Sequence, residues 1–354
     1  MMHSKTNRYT FYLIGMIFLI SCLLAPPAFS KTRKLRLQSA FTGSGILFGE
    51  GALFAKTVKE KTNGEIDIIL YAPGALVKPL EIYDAVKNGV VDMGLSTGLY
   101  HTSKVPEGLV EFGVPFSFTT VGDGLGPEAS NQLYDFIETW RGGKVKQLFK
   151  ASYAEKGTYL LGHMAISSYG IMTTFPVKTL ADFNGKKLRT FGLYSPLAKK
   201  MGAAPVSVTA SEQYMALQRG TADGTIYPYY TLEDYNLKEV ISHVIYPPPS
   251  PTGCTVIFVN DKVWKSFSAE HQKIIQAAFD VHSKAYTRKS LEYERGVIED
   301  AKSRGIKEVV LPDSDIAKMK EIGRSLWPAA AKKSERSAEI VSLLTEYLKE
   351  KGLY

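Results

Sequence analysis

Apolar positions in the first third of the chain alternate between the spacing of strands and that of helices. Residues 35–41 alternate apolar and polar side chains, as a half-buried strand does, and residues 47–61 show the apolar spacing of a helix. A strand at 65–71, a helix at 79–88 and a strand at 90–95 follow. This alternation predicts an α/β domain with a mainly parallel sheet.

A short sequence pattern occurs twice in the chain. Residues 85–94 read Ala-Val-Lys-Asn-Gly-Val-Val-Asp-Met-Gly, and residues 216–224 read Ala-Leu-Gln-Arg-Gly-Thr-Ala-Asp-Gly. In both, a helix ends on a glycine and a short strand begins beside an aspartate. Two such units predict two α/β lobes that face each other, with a ligand cleft at the carboxyl ends of their strands.

The second half of the chain predicts the connections between these lobes. Residues 246–251, Tyr-Pro-Pro-Pro-Ser-Pro, indicate a stiff linker that crosses between them. Residues 268–304 have helical apolar spacing, with Gly296 as a position for a kink; a continuous helix would be about 55 Å long and could span both lobes. Helical sequence continues from residue 314 to the C-terminus, with an interruption expected at Pro328.

Each predicted lobe is built from two segments of the chain. The first lobe comprises residues 31–160 and about 245–285, and the second comprises about 161–244 and 286–354.

The N-terminus predicts export. Lys5 and Arg8 precede an apolar run at 11–25, and small residues precede Lys31, which is the pattern of a signal peptide at residues 1–30. The apolar run is shorter than the roughly 20 residues that span a bilayer. We therefore expect a periplasmic protein.

The two cysteines, Cys22 and Cys254, leave one alternative open. Residues 19–22, Leu-Ile-Ser-Cys, resemble a lipobox, so lipid attachment at Cys22 is the alternative to cleavage before Lys31. Cleavage there leaves Cys254 without a disulfide partner, in a segment that reads as a buried strand.

Composition and motifs give no support for catalysis. The hydrophobic fraction is 45% and the formal charge is +8, which is ordinary for a soluble globular protein and too dispersed for a nucleic-acid patch. The glycines of residues 43–49 fit a tight strand-to-helix turn better than a dinucleotide fingerprint. The six histidines show no metal-ligand spacing, and no nucleophile motif occurs. We expect no enzyme, no cofactor and no bound metal.

The most informative motif surrounds one arginine. Residues 181–189 read Ala-Asp-Phe-Asn-Gly-Lys-Lys-Leu-Arg, so Arg189 ends a short strand, where a guanidinium can recognise a planar carboxylate. With Met-Gly-Ala-Ala-Pro at 201–205 and Glu212 to Gln218, this motif resembles the core of the DctP-type solute-binding proteins of TRAP transporters. The specific match covers the central third of the chain.

The resemblance implies a two-lobed, periplasmic-binding-protein-like fold with a ligand cleft between the lobes and a long helix spanning both. It implies a protein that binds a small organic acid outside the inner membrane and delivers it to TRAP-type membrane carrier subunits. Arg189 lies where the family has its carboxylate-clamping arginine.

Departures from the family pattern narrow the expected ligand. Sialic-acid-type members have a second arginine near residues 168–170, where this chain reads Ser-Tyr-Gly, and Tyr227 replaces an asparagine. The pocket should be less cationic and more aromatic, which favours a monocarboxylate such as an aromatic, keto or hydroxy acid. The sodium-holding carboxylate that keto-acid-binding relatives have near Tyr227 is missing.

Further candidate ligand contacts lie mainly where predicted strands end. These candidates are Tyr227, Tyr169, Ser96, Thr97, Phe41, Tyr71, Phe116 and Tyr194.

Two other functions remain open from the sequence. The same fold could serve as a lipid-anchored sensing module of a signalling system, and a secreted enzyme acting on an organic acid would need a general base near Arg189. Whether the protein is a monomer or a homodimer is also open.

Overall fold

The computed structural model describes residues 32–118 and 127–354. The predicted signal peptide and Cys22 lie outside these ranges. Lys34–Tyr354 forms one compact unit. Within the described ranges, no helix has both the length and the apolar character that a membrane span requires.

The strands in the described ranges are β1 (Arg33–Ser39), β2 (Ile66–Tyr71), β3 (Met93–Ser96), β4 (Thr158–Ile166), β5 (Tyr169–Thr173), β6 (Lys187–Arg189), β7 (Ala204–Val206), β8 (Gly224–Tyr227), β9 (His243–Ser250), β10 (Gly253–Asn260) and β11 (Lys307–Val310). The α-helices are α1 (Ile46–Lys61), α2 (Ile82–Lys87), α3 (Gly108–Glu111), α4 (Pro127–Tyr134), α5 (Trp140–Glu155), α6 (Tyr194–Lys200), α7 (Gln213–Gln218), α8 (Thr231–Asp234), α9 (Asp261–Lys265), α10 (Ala269–Ser303), α11 (Asp313–Arg324), α12 (Trp327–Ala331) and α13 (Glu335–Glu350).

The strands form two mixed sheets, one in each lobe. The first sheet has the order β2-β1-β3-β10-β4, and the second has the order β11-β9-β5-β8-β6-β7. In the first, β3 is parallel to β1 and antiparallel to β10; in the second, β8 is parallel to β6 and antiparallel to β5. The sequence predicted a mainly parallel sheet, but each sheet also contains an antiparallel strand, β10 in the first and β5 in the second. Each of these strands enters its sheet from the other lobe and therefore runs in the opposite direction.

The chain passes between the sheets at two adjacent places. β4 of the first sheet continues into β5 of the second through Ser167 and Ser168, and β9 of the second continues into β10 of the first through Pro251 and Thr252. The Thr252 hydroxyl donates a hydrogen bond of 2.8 Å to the carbonyl of Ile166. The two crossing segments therefore lie side by side and are hydrogen-bonded to each other.

Three expectations about the second half need correction or refinement. Residues 246–250 belong to β9, which pairs with β5 and β11, so most of the proline-rich segment is strand and only its end is the crossing. The long helix α10 is continuous over 35 residues and does not break at Gly296. The helical segment is interrupted between Arg324 and Trp327, and Pro328 lies in the first turn of the next helix, α12, where its missing N–H costs nothing.

The limits of the lobes in the chain remain a prediction. Sheet membership assigns β10 to the first sheet and β9 to the second.

The repeated sequence pattern has the same structural role in both sheets. Asp92 precedes β3, and its Oδ2 accepts the N–H of Arg36 in β1 at 2.8 Å. Asp223 precedes β8, and its Oδ2 accepts the N–H of Lys187 in β6 at 2.8 Å. Each aspartate lies one residue before the first position at which its strand pairs with the parallel neighbour. The repeat therefore brings the loops after β3 and β8 to equivalent edges of the two sheets.

Helix α10 contacts both lobes. The ring of Phe279 packs edge-on against Phe54 of α1 in the first lobe, with centroids 6.3 Å apart. Further along, Tyr293 donates a hydrogen bond of 2.8 Å to Asp234, which follows β8 in the second lobe.

A buried carboxylate ties α10 to the first crossing segment. Glu294 accepts hydrogen bonds from the hydroxyls of Ser167 at 2.8 Å and Ser168 at 2.6 Å, and from the N–H of Tyr230 at 3.2 Å. Burial raises the pKa of Glu294 to about 7. The helix, the crossing and the loop after β8 are thus held at one point.

Buried ionisable side chains also connect β4 with the helices of the first lobe. His163 Nε2 lies 3.0 Å from Glu111 Oε1, and its Nδ1 lies 3.1 Å from Glu138 Oε1. Lys146 pairs with the second oxygen of Glu138 at 2.5 Å. Burial alone would lower the pKa of His163, but the two carboxylates outweigh it and raise the pKa to about 9. His163 is therefore a buried imidazolium at neutral pH.

We expect the free energy of unfolding to fall as pH rises from about 6.5 to 9, because His163 holds its proton more tightly in the folded state. The stabilisation is complete below the unfolded pKa of about 6.5 and is lost above the folded value. His163→Gln should be less stable than the wild type by about 3 kcal/mol near pH 6. Urea unfolding at several pH values should show that difference shrinking towards pH 9.5, roughly.

Glu294 also titrates in this range, but both proteins contain it, so the difference between them isolates His163. A constant difference across the pH range would show that His163 is not charged in the folded protein.

Candidate functional site

A small cavity of about 20 Å³ lies between the two lobes, where β1, β3, β6 and β8 end. Its lining residues are Phe41, Thr97, Leu99, Tyr100, Phe112, Ile166, Tyr169, Arg189, Phe191, Tyr227, Pro228, Tyr230 and Thr255. Seven of these thirteen side chains are aromatic, and Arg189 is the only charged one. Four grooves elsewhere in the described residues, of about 340, 560, 540 and 420 Å³, are larger. We place the site in the smaller cavity because strand ends of both lobes line it around a buried cation.

The guanidinium of Arg189 is fully buried and closely held. Its Nε donates to the carbonyl of Val208 at 3.0 Å, and its Nη2 donates to the hydroxyl of Tyr100 at 3.4 Å. Its Cζ lies 4.5 Å from the ring centroid of Tyr227 and 4.8 Å from that of Phe191. Within the described residues, the buried Nη1 has no hydrogen-bond partner.

This arrangement leaves one strong donor without an acceptor among the described residues. Burial alone would lower the pKa of Arg189, but the hydroxyls of Tyr100, Tyr169 and Tyr227 raise it above its ordinary value, so the group stays cationic. A buried charged donor without an acceptor is costly, and a planar carboxylate supplies both the acceptor and the countercharge.

The tyrosines beside Arg189 are neutral hydrogen-bonding groups. Burial raises the pKa of Tyr169 to about 12 and that of Tyr227 well above its ordinary value. Both hydroxyls therefore keep their protons and can donate to an uncharged oxygen of a ligand. Among the described residues, no aspartate, glutamate or histidine lines the cavity.

The two lobes meet at the site through the hydroxyl of Tyr100 and the backbone at Gly192. Tyr100, from the turn after β3, accepts hydrogen bonds from Arg189 and from the N–H of Ala210 at 3.2 Å, both in the second lobe. Gly192 has a positive φ of 57°, and a Cβ there would lie 2.6 Å from Leu99. The turn after β6 can approach the first lobe only because residue 192 has no side chain.

The structure brings five of the nine predicted contact residues to the cavity. They are Arg189, Tyr227, Tyr169, Thr97 and Phe41. Their contacts with a ligand remain a prediction.

The other four lie elsewhere. Ser96 is buried in β3, beside the lining, and Tyr194 packs behind Tyr169 with ring centroids 4.7 Å apart. Tyr71 ends β2, and its carbonyl accepts the side-chain amide of Gln38 at 3.4 Å. Phe116 lines the groove of about 340 Å³. Position at a strand end therefore does not distinguish residues that line the cavity from residues that lie elsewhere.

Eight lining residues are not among the nine candidates, for two reasons. Tyr100, Phe191 and Tyr230 follow the ends of β3, β6 and β8, so they carried the same signal as the chosen residues. Others, such as Ile166 and Thr255, come from β4 and β10, which reach the cavity only because the chain crosses between the sheets.

Possible metal ligands and the thiol of Cys254 are other reactive groups of the described residues. In the part of the chain that is described, no three His, Cys, Asp or Glu side chains are grouped so that they could hold a metal ion. Cys254 is buried in β10, its Sγ donates to the carbonyl of Glu111 at 2.7 Å, and burial raises the pKa of its thiol. It is a core residue, as its strand pattern predicted.

Comparisons with known proteins agree with this geometry. The family model for the bacterial extracellular solute-binding proteins of family 7, DctP, matches residues 43–334. The chain is 28% identical over 229 residues to a monocarboxylate 2-oxoacid-binding periplasmic protein of Nostoc sp., an alignment that covers 63% of this chain and 59% of that relative.

Solved structures are similar over most of the chain. A TRAP periplasmic solute-binding protein from Rhodobacter sphaeroides, in an apo open structure, is 26% identical with a TM-score of 0.66, covering 91% of this chain and 99% of that one. A Bordetella pertussis extracytoplasmic solute receptor binding pyroglutamic acid is 19% identical with a TM-score of 0.79, covering 89% and 100%. The second similarity concerns the fold alone.

We expect Arg189→Met to leave the melting temperature of the ligand-free protein unchanged or higher, because it replaces a buried cation that has an unpaired donor. Leu188→Ala, at the neighbouring buried position of β6, is the matched control and should cost about 2–5 kcal/mol. Differential scanning calorimetry of both variants checks this. Equal destabilisation would mean that Arg189 is a structural residue of the core.

Proposed function

The chain belongs to the DctP family of bacterial extracellular solute-binding proteins, the periplasmic solute-binding subunits of TRAP transporters, and we propose that it binds a small organic monocarboxylate through Arg189. The family is not catalytic, and its members take up small organic ligands in the periplasm. The free Nη1 of a buried guanidinium is the observation on which the choice of a carboxylate rests.

The number of charges in the lining favours one carboxylate. Arg189 neutralises a single anion, and a second carboxylate would be buried among aromatic rings without a cation. The Cζ of Arg189 lies over the rings of Tyr227 and Phe191, and Nη1 is the donor without a partner among the described residues, so we expect the carboxylate to be bound at Nη1. Charge-assisted hydrogen bonds in such a site contribute roughly 1.5–3 kcal/mol each.

The uncharged polar groups favour an oxygen close to that carboxylate. The hydroxyls of Tyr169, Tyr227 and Thr97 can donate to a keto or lactam oxygen, while the surrounding rings accept an apolar body. The relative from Nostoc is named for 2-oxoacids and the Bordetella pertussis receptor for pyroglutamic acid, and both compounds carry one carboxylate beside a carbonyl or lactam group. We therefore favour 2-oxoacids and small cyclic monocarboxylates.

Binding would close the two lobes around the crossing segments. A ligand stabilises the closed arrangement only by the difference between its affinities for the closed and open forms. The closed form would then be recognised by the membrane carrier subunits of the TRAP system.

We expect 2-oxoacids or pyroglutamate to raise the melting temperature and dicarboxylates of similar size to leave it unchanged. A ligand at 100 times its dissociation constant adds about 2.7 kcal/mol of stability. Thermal-shift screening of the purified mature protein against matched mono- and dicarboxylates is the measurement.

Arg189→Lys is the informative companion variant. It keeps the charge but loses the planar fork, so it should weaken binding about 10- to 30-fold, or about 1.4–2 kcal/mol, while Arg189→Met should abolish it. A full ligand response in Arg189→Met would refute the proposed anchor, and chemical turnover of a bound acid would refute a purely binding role.

A further inference from the structure

The loop between β1 and α1 makes a second set of contacts with the other lobe. The N–H of Thr42 donates to the hydroxyl of Tyr235 at 3.2 Å, and the hydroxyl of Ser44 donates to the carbonyl of Asp234 at 3.2 Å. The N–H of Ile46 donates to Oδ2 of Asp234 at 3.1 Å. We call these five residues the latch. None of them lines the cavity around Arg189.

Among the described residues, no side chain of the first lobe caps the N-terminus of helix α1. Its N-cap residue is Gly45, no side chain of its own sequence caps it, and its first turn contains no acidic residue. The first N–H groups of a helix need acceptors, and a carboxylate is favourable there because of the helix dipole. Asp234, 188 residues after Ile46, supplies that acceptor from the second lobe.

The absence of a side chain at position 45 is required for this contact. A Cβ on Gly45 would lie only 2.7 Å from Oδ2 of Asp234. Gly45 has φ of −82° and ψ of 155°, so its backbone would accept any L-residue when the lobes are apart. By contrast, a Cβ on Gly43 would meet its nearest neighbour, the Cβ of Ala72, at an ordinary 3.9 Å.

Helix α10 holds Asp234 in position for this role. Tyr293 donates to Oδ1 of Asp234 at 2.8 Å, which leaves Oδ2 directed at Ile46. Asp234 is 7% exposed, so the contact is largely shielded from water.

We propose that Asp234 is a positioning residue that sets ligand affinity by capping α1 only when the two lobes are closed. The inference deepens the proposed binding function and rests on it. When the lobes separate, α1 loses its cap and the carboxyl of Asp234 is rehydrated, so the latch contributes to the closed form alone. Apparent affinity follows the population of the closed form, so the latch strengthens binding without touching the ligand.

Two variants should break the latch from opposite sides. Asp234→Ala removes the acceptor, and Gly45→Ser gives α1 its own cap while sterically excluding Asp234. Gly43→Ala is the matched control in the same loop, and Asp234→Asn is the conservative replacement, because asparagine caps helices as well as aspartate does.

The first measurement is binding of pyroglutamate and pyruvate, by calorimetry and by stopped-flow dissociation. Asp234→Ala and Gly45→Ser should each weaken binding about fivefold, equivalent to ~1 kcal/mol, with faster dissociation. Gly43→Ala and Asp234→Asn should remain within about twofold of the wild type.

The second measurement needs no ligand. Spin labels at the exposed positions Glu60 and Arg219, one in each lobe, report the distance distribution between the lobes. Both latch variants should lose short distances relative to the wild type, and Gly43→Ala should not.

Unchanged affinity in both latch variants, or an equal loss in Gly43→Ala, would overturn the proposal. A loss in Asp234→Asn as large as in Asp234→Ala would overturn the capping role. If neither probe binds the wild type, the proposed monocarboxylate specificity fails, and the distance distributions alone decide on the latch: identical distributions in the wild type and both latch variants contradict it.

Discussion

The buried guanidinium of Arg189 is the constraint on which the arrangement of the two lobes depends. Its Cζ lies over the rings of Tyr227 and Phe191, and its Nε and Nη2 donate hydrogen bonds to Val208 and Tyr100. Nη1 is left without a partner in the described part of the chain. Because Tyr100 belongs to the first lobe and Arg189 to the second, the same group joins the lobes and is the proposed anchor for the ligand. In the proposed function, binding of the ligand and closure of the lobes therefore depend on the same charged group.

Two further groups of contacts connect the lobes, and we call them the pivot and the latch. At the pivot, Glu294 accepts hydrogen bonds from the hydroxyls of Ser167 and Ser168 and from the N–H of Tyr230. These bonds hold the crossing segment and the long helix together. The latch consists of hydrogen bonds between loops that have no covalent link nearby. A protein that must release its ligand needs this division, because permanent contacts guide the motion and breakable contacts of modest energy keep it reversible.

Much of the fold could be predicted from the sequence because its signals are local. Period and glycine placement gave the first helices and strands to within a few residues, and the repeated Gly-x-x-Asp pattern indicated two equivalent lobes. Asp92 and Asp223 fix equivalent strand registers, which is a physical reason for that repeat. The mixed sheets and the strand at residues 246–250 were not predicted, because a strand's partner and direction are properties of the folded chain and not of its own residues.

The sequence by itself determined that Arg189 ends a strand beside a turn and that the chain resembles a family of organic-acid-binding proteins. Only the tertiary structure decided which tyrosines surround it, that Nη1 remains free, and that Asp234 caps a helix of the other lobe. The physical reason is that local spacing fixes where the backbone places a side chain along its own element. The burial of Arg189, its hydrogen-bond partners and the capping of α1 by a residue 188 positions away all depend on how the two lobes meet. No local sequence pattern encodes that arrangement.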